Sequence, residues 1–189
     1  MERASFAKME CPIARAADEV ADGWTLLLLR EAYKGAALFS EFQERLPIAP
    51  TTLTRKLEAL TARGFFEKKT YQSNPIRERY ELTPKAVDLL PALVALGAWG
   101  NRWLAPEGER LSIVDATSGR PMDVTVIDRK TSQPLRPGNV ALTPGTGATK
   151  VSQMVNSVKG TVAASAMPRA MTRTKSRVCS SPSLSPWSD

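Results

Sequence analysis

The chain of 189 residues carries 26 Lys and Arg against 19 Asp and Glu, a formal charge of +7, with two cysteines and no histidine. The lack of histidine excludes Ser–His–Asp and Cys–His catalysis and every histidine-containing metal site. Two cysteines cannot supply a four-cysteine zinc site or a dense disulfide framework. We therefore expect no catalytic residue, no metal and no cofactor.

The positive charge is concentrated near the C-terminus. Residues 143–189 hold six cations and one acid, a net +5, which leaves +2 for residues 1–142. Residues 143–189 are rich in Ser and Thr and show no apolar period, a composition typical of a disordered tail. The tail either adds non-specific attraction to nucleic acid or is an inert extension.

The N-terminal sequence predicts neither export nor membrane insertion. Its first 16 residues, MERASFAKMECPIARA, are charged and contain no apolar segment typical of a secretory signal. The apolar run from Leu26 to Leu29 is too short to cross a bilayer. We expect a cytoplasmic protein with reduced thiols and no membrane contact.

Two helices are predicted next. Cys11 and Pro12 begin the first helix, and Asp22-Gly23 ends it. The second helix runs from Trp24 to Lys34, and its four consecutive leucines predict the buried centre of the domain.

Residues 37–82 have the order helix, tight turn, helix and basic β-hairpin that is typical of a winged helix-turn-helix. Ser40 is predicted to cap the first of these helices, and Pro47 ends it. Pro50 suits the first turn of the next helix because its missing N–H costs nothing there, and Arg63-Gly64 is the predicted C-terminal cap. The second helix of such a unit fits a DNA major groove.

This second helix has a buried and an outer face. Its apolar stripe consists of Leu53, Leu57 and Leu60. The outer residues are Thr51, Thr52, Arg55 and Lys56. Short polar side chains beside two cations suit contact with base edges and phosphates together. The alternative is an ordinary solvated face with two basic residues.

Residues 65–82 alternate in polarity on both sides of a turn that contains Asn74-Pro75, which predicts a β-hairpin. The segment from Thr51 to Tyr80 contains seven Lys and Arg but only three Glu. This excess of positive charge favours binding to phosphate. The candidate DNA-contact residues are Ser40, Pro50, Thr51, Thr52, Thr54, Arg55, Lys56, Ser73, Asn74 and Arg77.

Thr83-Pro84 begins a helix that runs to about Trp103 and is apolar on nearly all sides, with Asp88 the one charge between residues 86 and 100. Such a helix must be covered on nearly all sides, which a chain of this size cannot easily achieve alone. We expect a homodimer. The predicted dimerisation residues are Leu89, Leu90, Leu93, Leu96 and Trp99.

Residues 111–136 contain a faint internal repeat, in which an apolar–Asp pair, a polar turn and a Pro–apolar pair occur twice. We predict two hairpin turns of a small β-meander, begun by Asp115 and Asp128; a metal pair is the alternative. The predicted fold is mainly α with a β-wing. It comprises a winged helix-turn-helix domain with dimerisation helices over 1–105, the meander over 106–142 and the tail over 143–189.

The chain resembles HxlR-type transcriptional regulators, a branch of the MarR-like winged-helix proteins, over about Cys11 to Trp99. The matching motifs are CPI at 11–13, GWTLLLLRE at 23–31, LFSEF at 38–42, LTRKLEAL at 53–60, RGF at 63–65, NPIR at 74–77 and YELTP at 80–84. The resemblance implies a homodimer that binds double-stranded operator DNA, with the recognition helix over 50–63 and the wing over 65–82. Lys56 and Lys68 depart from the Arg that the family often has there, which weakens any bidentate contact with guanine.

Some members of this family sense oxidants or electrophiles through the cysteine at the position of Cys11. A cysteine just before a first-turn proline lies at a helix N-cap, where the helix dipole favours the thiolate. The alternative is a small apolar residue that caps the helix weakly.

The sequence therefore favours a homodimeric, sequence-specific DNA-binding regulator, a repressor rather than an activator and not an enzyme. Modification of Cys11 or a small-molecule effector would shift the balance between two dimer geometries. The alternative is a protein-interaction module in which the winged helix packs on a partner protein. A steep salt dependence of binding to duplex DNA separates the two, because phosphate contacts release counterions.

Overall fold

The computed structural model describes residues 5–109, 111–136 and 138–149. Its elements are α1 Pro12–Val20, α2 Gly23–Tyr33, α3 Phe39–Arg45, α4 Pro50–Ala62, β1 Phe66–Ser73, β2 Ile76–Leu82 and α5 Pro84–Leu104. The helices α3 and α4 form a helix-turn-helix, and β1 and β2 pair as an antiparallel wing. The predicted winged helix-turn-helix is confirmed. Within the described ranges, no helix is long and apolar enough to span a membrane.

The ends of α2 and α4 follow local signals in the sequence. The Asp22 side chain caps α2 by accepting a hydrogen bond of 3.3 Å from the Trp24 N–H. Pro50 lies in the first turn of α4. Gly64 has a φ of +74° just beyond the end of α4, a conformation that suits glycine because it has no Cβ.

The start of α3 differs from the prediction. Leu38 is the N-cap, and Ser40 lies inside the first turn, so the predicted Ser40 cap is wrong. Instead, the Glu41 carboxylate accepts hydrogen bonds of 2.7 and 2.8 Å from the Ala37 and Leu38 N–H groups. These backbone hydrogen bonds hold the pKa of Glu41 below its ordinary value. A carboxylate three residues after the N-cap can reach backwards, and here it does so in place of the serine.

The core lies between α2, α4 and the base of the wing. Leu28 and Leu29 are fully buried, whereas Leu26 and Leu27 are half-buried, so the leucine run of α2 supplies the predicted centre with two of its four side chains. The predicted stripe of α4 is confirmed, because Leu53, Leu57 and Leu60 are all buried. Phe65, just before the wing, and Phe66, the first residue of β1, are also buried in this core.

The C-terminal part of the described chain packs on α5. Two hairpin turns are each closed by one bridge, Val114 with Pro121 and Ile127 with Pro134. The Asp115 carboxylate accepts hydrogen bonds from the backbone N–H and hydroxyl of Ser118, both 2.7 Å. Asp128 likewise accepts bonds from the Lys130 N–H and the Thr131 hydroxyl. Both aspartates thus begin turns, as the repeat predicted. Residues 150–189, most of the predicted tail, lie outside the described residues.

Candidate nucleic-acid interface

The outer face of α4 presents the short polar and basic residues that the sequence predicted. Pro50, Thr51, Thr54 and Arg55 are exposed and Thr52 is half-buried. The Thr54 hydroxyl donates a hydrogen bond of 3.0 Å to the Pro50 carbonyl. The Arg55 side chain makes no hydrogen bond or ion pair with the described part of the chain. Its guanidinium group is therefore available to a ligand.

Lys56 has different surroundings from its neighbour Arg55. Its ammonium group pairs with the Asp22 carboxylate at the start of α2. The two side chains are 21 and 23% exposed, so the ion pair is largely covered. Lys56, predicted as a DNA contact, is directed towards α2 in this structure.

The wing cations are mostly neutralised within the hairpin. Lys68 pairs with Glu78 across the strands at 3.3 Å, and Lys69 lies 2.6 Å from a carboxylate oxygen of Glu81. The hydrogen bonds to these glutamates raise the pKa of both lysines, so both remain charged. Several of the cations counted along the sequence are thus paired within the hairpin, one of them with Glu81, which lies beyond the counted residues.

Arg77 is the wing cation whose side chain makes no hydrogen bond or ion pair with a described residue. It follows the turn at the tip, where Ser73 and Asn74 are also exposed. By contrast, Arg79 lies on the same strand and pairs with Glu81 at 2.5 Å. Ser40, on the outer side of α3, is exposed as well.

The corner between α1 and α2 contacts α4 twice, which sequence reasoning missed. Besides the Asp22–Lys56 pair, the Arg63 Nη1 group donates a hydrogen bond of 2.9 Å to the Glu19 carbonyl. The Lys85 ammonium group bridges the Glu19 carboxylate at 3.0 Å and the Arg63 carbonyl at 2.8 Å. The sequence indicated Asp22 only as part of the break that ends the first helix, and its ion-pair partner lies 34 residues away.

The predicted dimerisation residues lie on α5 with unequal exposure. Leu96 and Trp99 are 47 and 53% exposed and Leu90 is 37% exposed, whereas Leu89 and Leu93 are half-buried. The prediction did not include Trp103 and Leu104, which are also exposed. An open cleft of about 360 Å³ lies between α5 and the predicted meander, residues 106–142. Its lining includes Trp99, Arg102, Val126 and Leu135.

Cys11 is the N-cap residue of α1 and is half-buried with a free thiol. Its side chain makes no cap hydrogen bond, so the thiol is not used to close the helix. The neighbouring Glu10 carboxylate accepts a hydrogen bond of 2.9 Å from the Thr149 N–H. The last described residues therefore return to the start of α1.

Comparison with known protein sequences identifies the family of this chain. Residues 19–108 match the HxlR-like helix-turn-helix family. An uncharacterised HTH-type transcriptional regulator of Mycobacterium tuberculosis, MT3179, is 35% identical over 136 residues, which are 71% of this chain and 86% of that protein. Another such regulator, sll1512 of Synechocystis, is 32% identical over 105 residues, 55% of this chain and 78% of the relative.

Solved structures share more than the winged helix. The candidate transcription factor PA1607 superposes with a TM-score of 0.68 at 30% identity over 75% of this chain and all of that protein. The candidate transcription factor PA1374 of Pseudomonas aeruginosa gives a TM-score of 0.57 at 34% identity over 77% of this chain and 99% of its own. The matched 75 and 77% of this chain are more than residues 1–105 contain, so the similarity continues into the residues after α5. The chain belongs to the HxlR-like helix-turn-helix family of DNA-binding transcriptional regulators, which are not enzymes.

Proposed function

We propose that this protein is a homodimeric repressor that binds double-stranded operator DNA in the cytoplasm and reads its sequence with α4. The proposal is supported by two guanidinium groups that have no partner among the described residues, Arg55 on α4 and Arg77 on the wing. Binding to DNA need not break an existing ion pair at either residue. Repression is the simplest outcome, since it requires only that the dimer occupy a promoter.

The two arginines have different roles in this proposal. Arg55 lies on the helix that enters the major groove, where a guanidinium group can donate two hydrogen bonds to O6 and N7 of guanine. Thr51 and Thr52 supply short polar contacts beside it. Arg77, at the tip of the wing, contacts phosphate and so contributes affinity without sequence preference. In this proposal the exposed residues Ser40, Ser73 and Asn74 also contact the sugar-phosphate backbone of the DNA.

The experiment compares Arg55→Ala and Arg77→Ala on two duplexes, one selected by the wild-type protein from a random-sequence pool and one scrambled. Arg55→Ala should weaken binding to the selected duplex by about 1–3 kcal/mol and reduce its preference over the scrambled one. Arg77→Ala should weaken both duplexes nearly equally and lower the salt slope by about one. Arg79→Ala is the matched control, because Arg79 is already paired with Glu81.

The competing function is a protein-interaction module. In that case the folded protein would bind duplex DNA weakly, without a steep salt dependence and without a preferred sequence. Unchanged affinity of Arg55→Ala and Arg77→Ala for the selected duplex would likewise contradict the proposal.

A second copy of the chain is the proposed occupant of the exposed face of α5. Leu96 and Trp99 are about half exposed, and Trp103 and Leu104 extend the same apolar helix towards its C-terminus. Covering such side chains is favourable by about 25 cal/mol for each Å² of apolar surface removed from water. A two-fold dimer built on α5 and α1 would carry two copies of α4, one for each half of a symmetric operator.

We further propose that the chemical state of Cys11, or a small molecule bound beside α5, controls the dimer. The thiol is partly accessible, forms no disulfide among the described residues and lies at the N-terminus of α1. The cleft beside Trp99 and Arg102 is the proposed alternative site for an effector. Either event would act by changing the separation of the two α4 helices.

A further inference from the structure

The corner between α1 and α2 holds the recognition helix at two separate points. In the middle of α4, Lys56 pairs with Asp22. At its C-terminal cap, Arg63 donates a hydrogen bond of 2.9 Å to the Glu19 carbonyl. These two polar contacts lie at different points along α4, so together with the packing of its buried leucine stripe they restrain the direction of the helix.

Both carboxylate oxygens of Asp22 accept hydrogen bonds. Its Oδ1 atom accepts from the Trp24 N–H at 3.3 Å, and its Oδ2 atom accepts from the Thr25 hydroxyl at 3.2 Å and from the Lys56 ammonium group. The Thr25 side chain is buried beneath it. A charge pair with about a fifth of each side chain exposed is less screened by water and salt than a surface pair. The Lys56 head group is therefore anchored to a fixed point on α2.

The second contact is fixed from another side. Lys85, in the first turn of α5, bonds both the Glu19 carboxylate and the Arg63 carbonyl, and its ammonium group lies 4.4 Å from the centroid of the Phe65 ring. The end of α4 is thus tied to α1 and to α5 at once. These ties join the helix that would read DNA to the helix that begins at Cys11 and to the proposed dimerisation helix.

We propose that Asp22 and Lys56, together with the Glu19–Arg63 contact, form a positioning clamp that sets the angle of α4 in the major groove. Lys56 is then a positioning residue that determines specificity through the orientation of Arg55, and it is not itself a DNA contact. The inference rests on the proposed function and adds its route of control, because a displacement of α1 relative to α2 would move the Glu19–Arg63 contact while Asp22 stays with α2. Paired hydrogen bonds to a base edge depend on geometry, so a small rotation of α4 would cost sequence preference before it cost non-specific affinity.

The test uses Asp22→Asn, Lys56→Met and the double variant in the full chain. Asparagine caps helices about as well as aspartate, so Asp22→Asn removes the ion pair and retains the cap. The probes are the duplex that the wild-type protein selects from a random-sequence pool and a scrambled duplex of the same length and composition. Affinity is measured for both over a series of salt concentrations, and the melting temperature of each variant is recorded.

The clamp predicts that each single variant loses about tenfold in affinity for the selected duplex and less than about twofold for the scrambled one, since a typical coupled pair contributes on this scale. The salt slope should stay unchanged, because no phosphate contact is lost. The double variant should be no weaker than either single variant, since both remove the same interaction. Lys56→Arg, which can still pair with Asp22, should keep the preference and carries the test if Asp22→Asn does not fold.

Several results would overturn the clamp. A salt slope lowered by about one in Lys56→Met, with equal losses on both duplexes, would make Lys56 a phosphate contact. Tighter binding by Asp22→Asn would mean that Asp22 withholds a cation from DNA. An unchanged preference in both single variants would remove the pair from sequence recognition. In each of these cases the wild type and Arg55→Ala still differ on the selected duplex, whereas a wild type without any preferred duplex contradicts the proposed function and the clamp together.

Discussion

The ring of Phe42 on α3 lies 6.1 Å from the ring of Phe66 on β1, with the two planes inclined at 59°. Tyr80 on β2 completes an aromatic trio, with centroids 6.4 Å from Phe42 and 6.1 Å from Phe66. The Tyr80 N–H also donates a hydrogen bond of 2.8 Å to the Ala37 carbonyl just before α3. The base of the wing is therefore attached to the helix-turn-helix by aromatic packing and by a hydrogen bond.

Phe66→Ala should destabilise the protein by about 3–5 kcal/mol, because it removes a fully buried ring and leaves a cavity beside Phe42. The free energy of unfolding from urea denaturation measures the effect. Tyr71→Ala, on the same strand but 46% exposed, is the control and should cost about 0.5 kcal/mol or less. Equal losses in the two variants would show that the aromatic trio does not anchor the wing.

The Asp22–Lys56 pair should make stability depend on pH in the acid range. Burial alone raises the pKa of Asp22, but the hydrogen bond and charge of Lys56, with the bonds from Thr25 and Trp24, bring that pKa below its ordinary value of 3.8. A lowered pKa means that Asp22 stabilises the folded state fully at pH values above 3.8 and that this stabilisation is lost as the pH falls through the lowered value.

The melting temperatures of wild type and Asp22→Asn should therefore differ most near neutral pH and converge in strong acid. Asp88→Asn is the control, since Asp88 is exposed on α5, and its difference from wild type should remain small throughout. A gap between wild type and Asp22→Asn that stays constant down to the lowest pH would contradict the ion pair.

The dimer proposal predicts that Leu96→Asp gives a folded monomer. Leu96 is 47% exposed in the single chain, so an aspartate there is tolerated by the subunit but would be an unpaired charge in the interface. Sedimentation analysis at micromolar concentration measures the change. Leu93, another predicted interface residue, is a poorer choice because it is half-buried within the subunit.

Ile76→Asp serves as the control for this experiment. Ile76 lies at the tip of the wing and is 74% exposed, so its replacement should leave the dimer intact. A wild-type protein that is already a well-folded monomer at micromolar concentration would contradict the dimer and the symmetric operator with it.

If Cys11 controls binding, hydrogen peroxide should lower the affinity of the wild type for its selected duplex, and dithiothreitol should restore it while oxidation has not passed the sulfenic acid or disulfide stage. Cys11→Ser should bind normally under reducing conditions and should not respond to the oxidant. Cys179→Ser, whose position lies outside the described residues, is the control and should respond as the wild type does. Equal losses by the wild type and Cys11→Ser would assign the thiol a structural role and direct attention to the cleft beside α5.

The parts of the fold that could be predicted from the sequence are those with local causes. Pro50 and Gly64 bound α4 through backbone restrictions that act within one turn, and the leucine stripe of α4 follows from helical periodicity. The aspartates at the two hairpin turns bond residues two or three positions away, so their role is also visible in the sequence. The cap of α3 was predicted wrongly because Ser40 and Glu41 are both suited to a first turn and only geometry decides between them.

The site was harder to predict, because it depends on which charges meet in three dimensions. Lys56 and Arg55 look alike in the sequence, yet Lys56 finds Asp22 from another helix and Arg55 finds no partner among the described residues. Lys68 is similarly neutralised by Glu78 through the register of the hairpin. A count of cations therefore overstates how many are available to DNA, and the structure is needed to identify the arginines that have no ion-pair partner in the described part of the chain.

Sequence recognition by a dimer through α4 is tested most directly by selecting duplexes from a random-sequence pool with the wild-type protein and sequencing the bound fraction. We expect an inverted repeat whose half-sites are centred about 10–10.5 base pairs or a multiple of that apart. We also expect Arg55→Ala to lose the preference at defined positions within each half-site. A bound fraction as random as the starting pool, or a consensus that Arg55→Ala selects unchanged, would contradict recognition through α4.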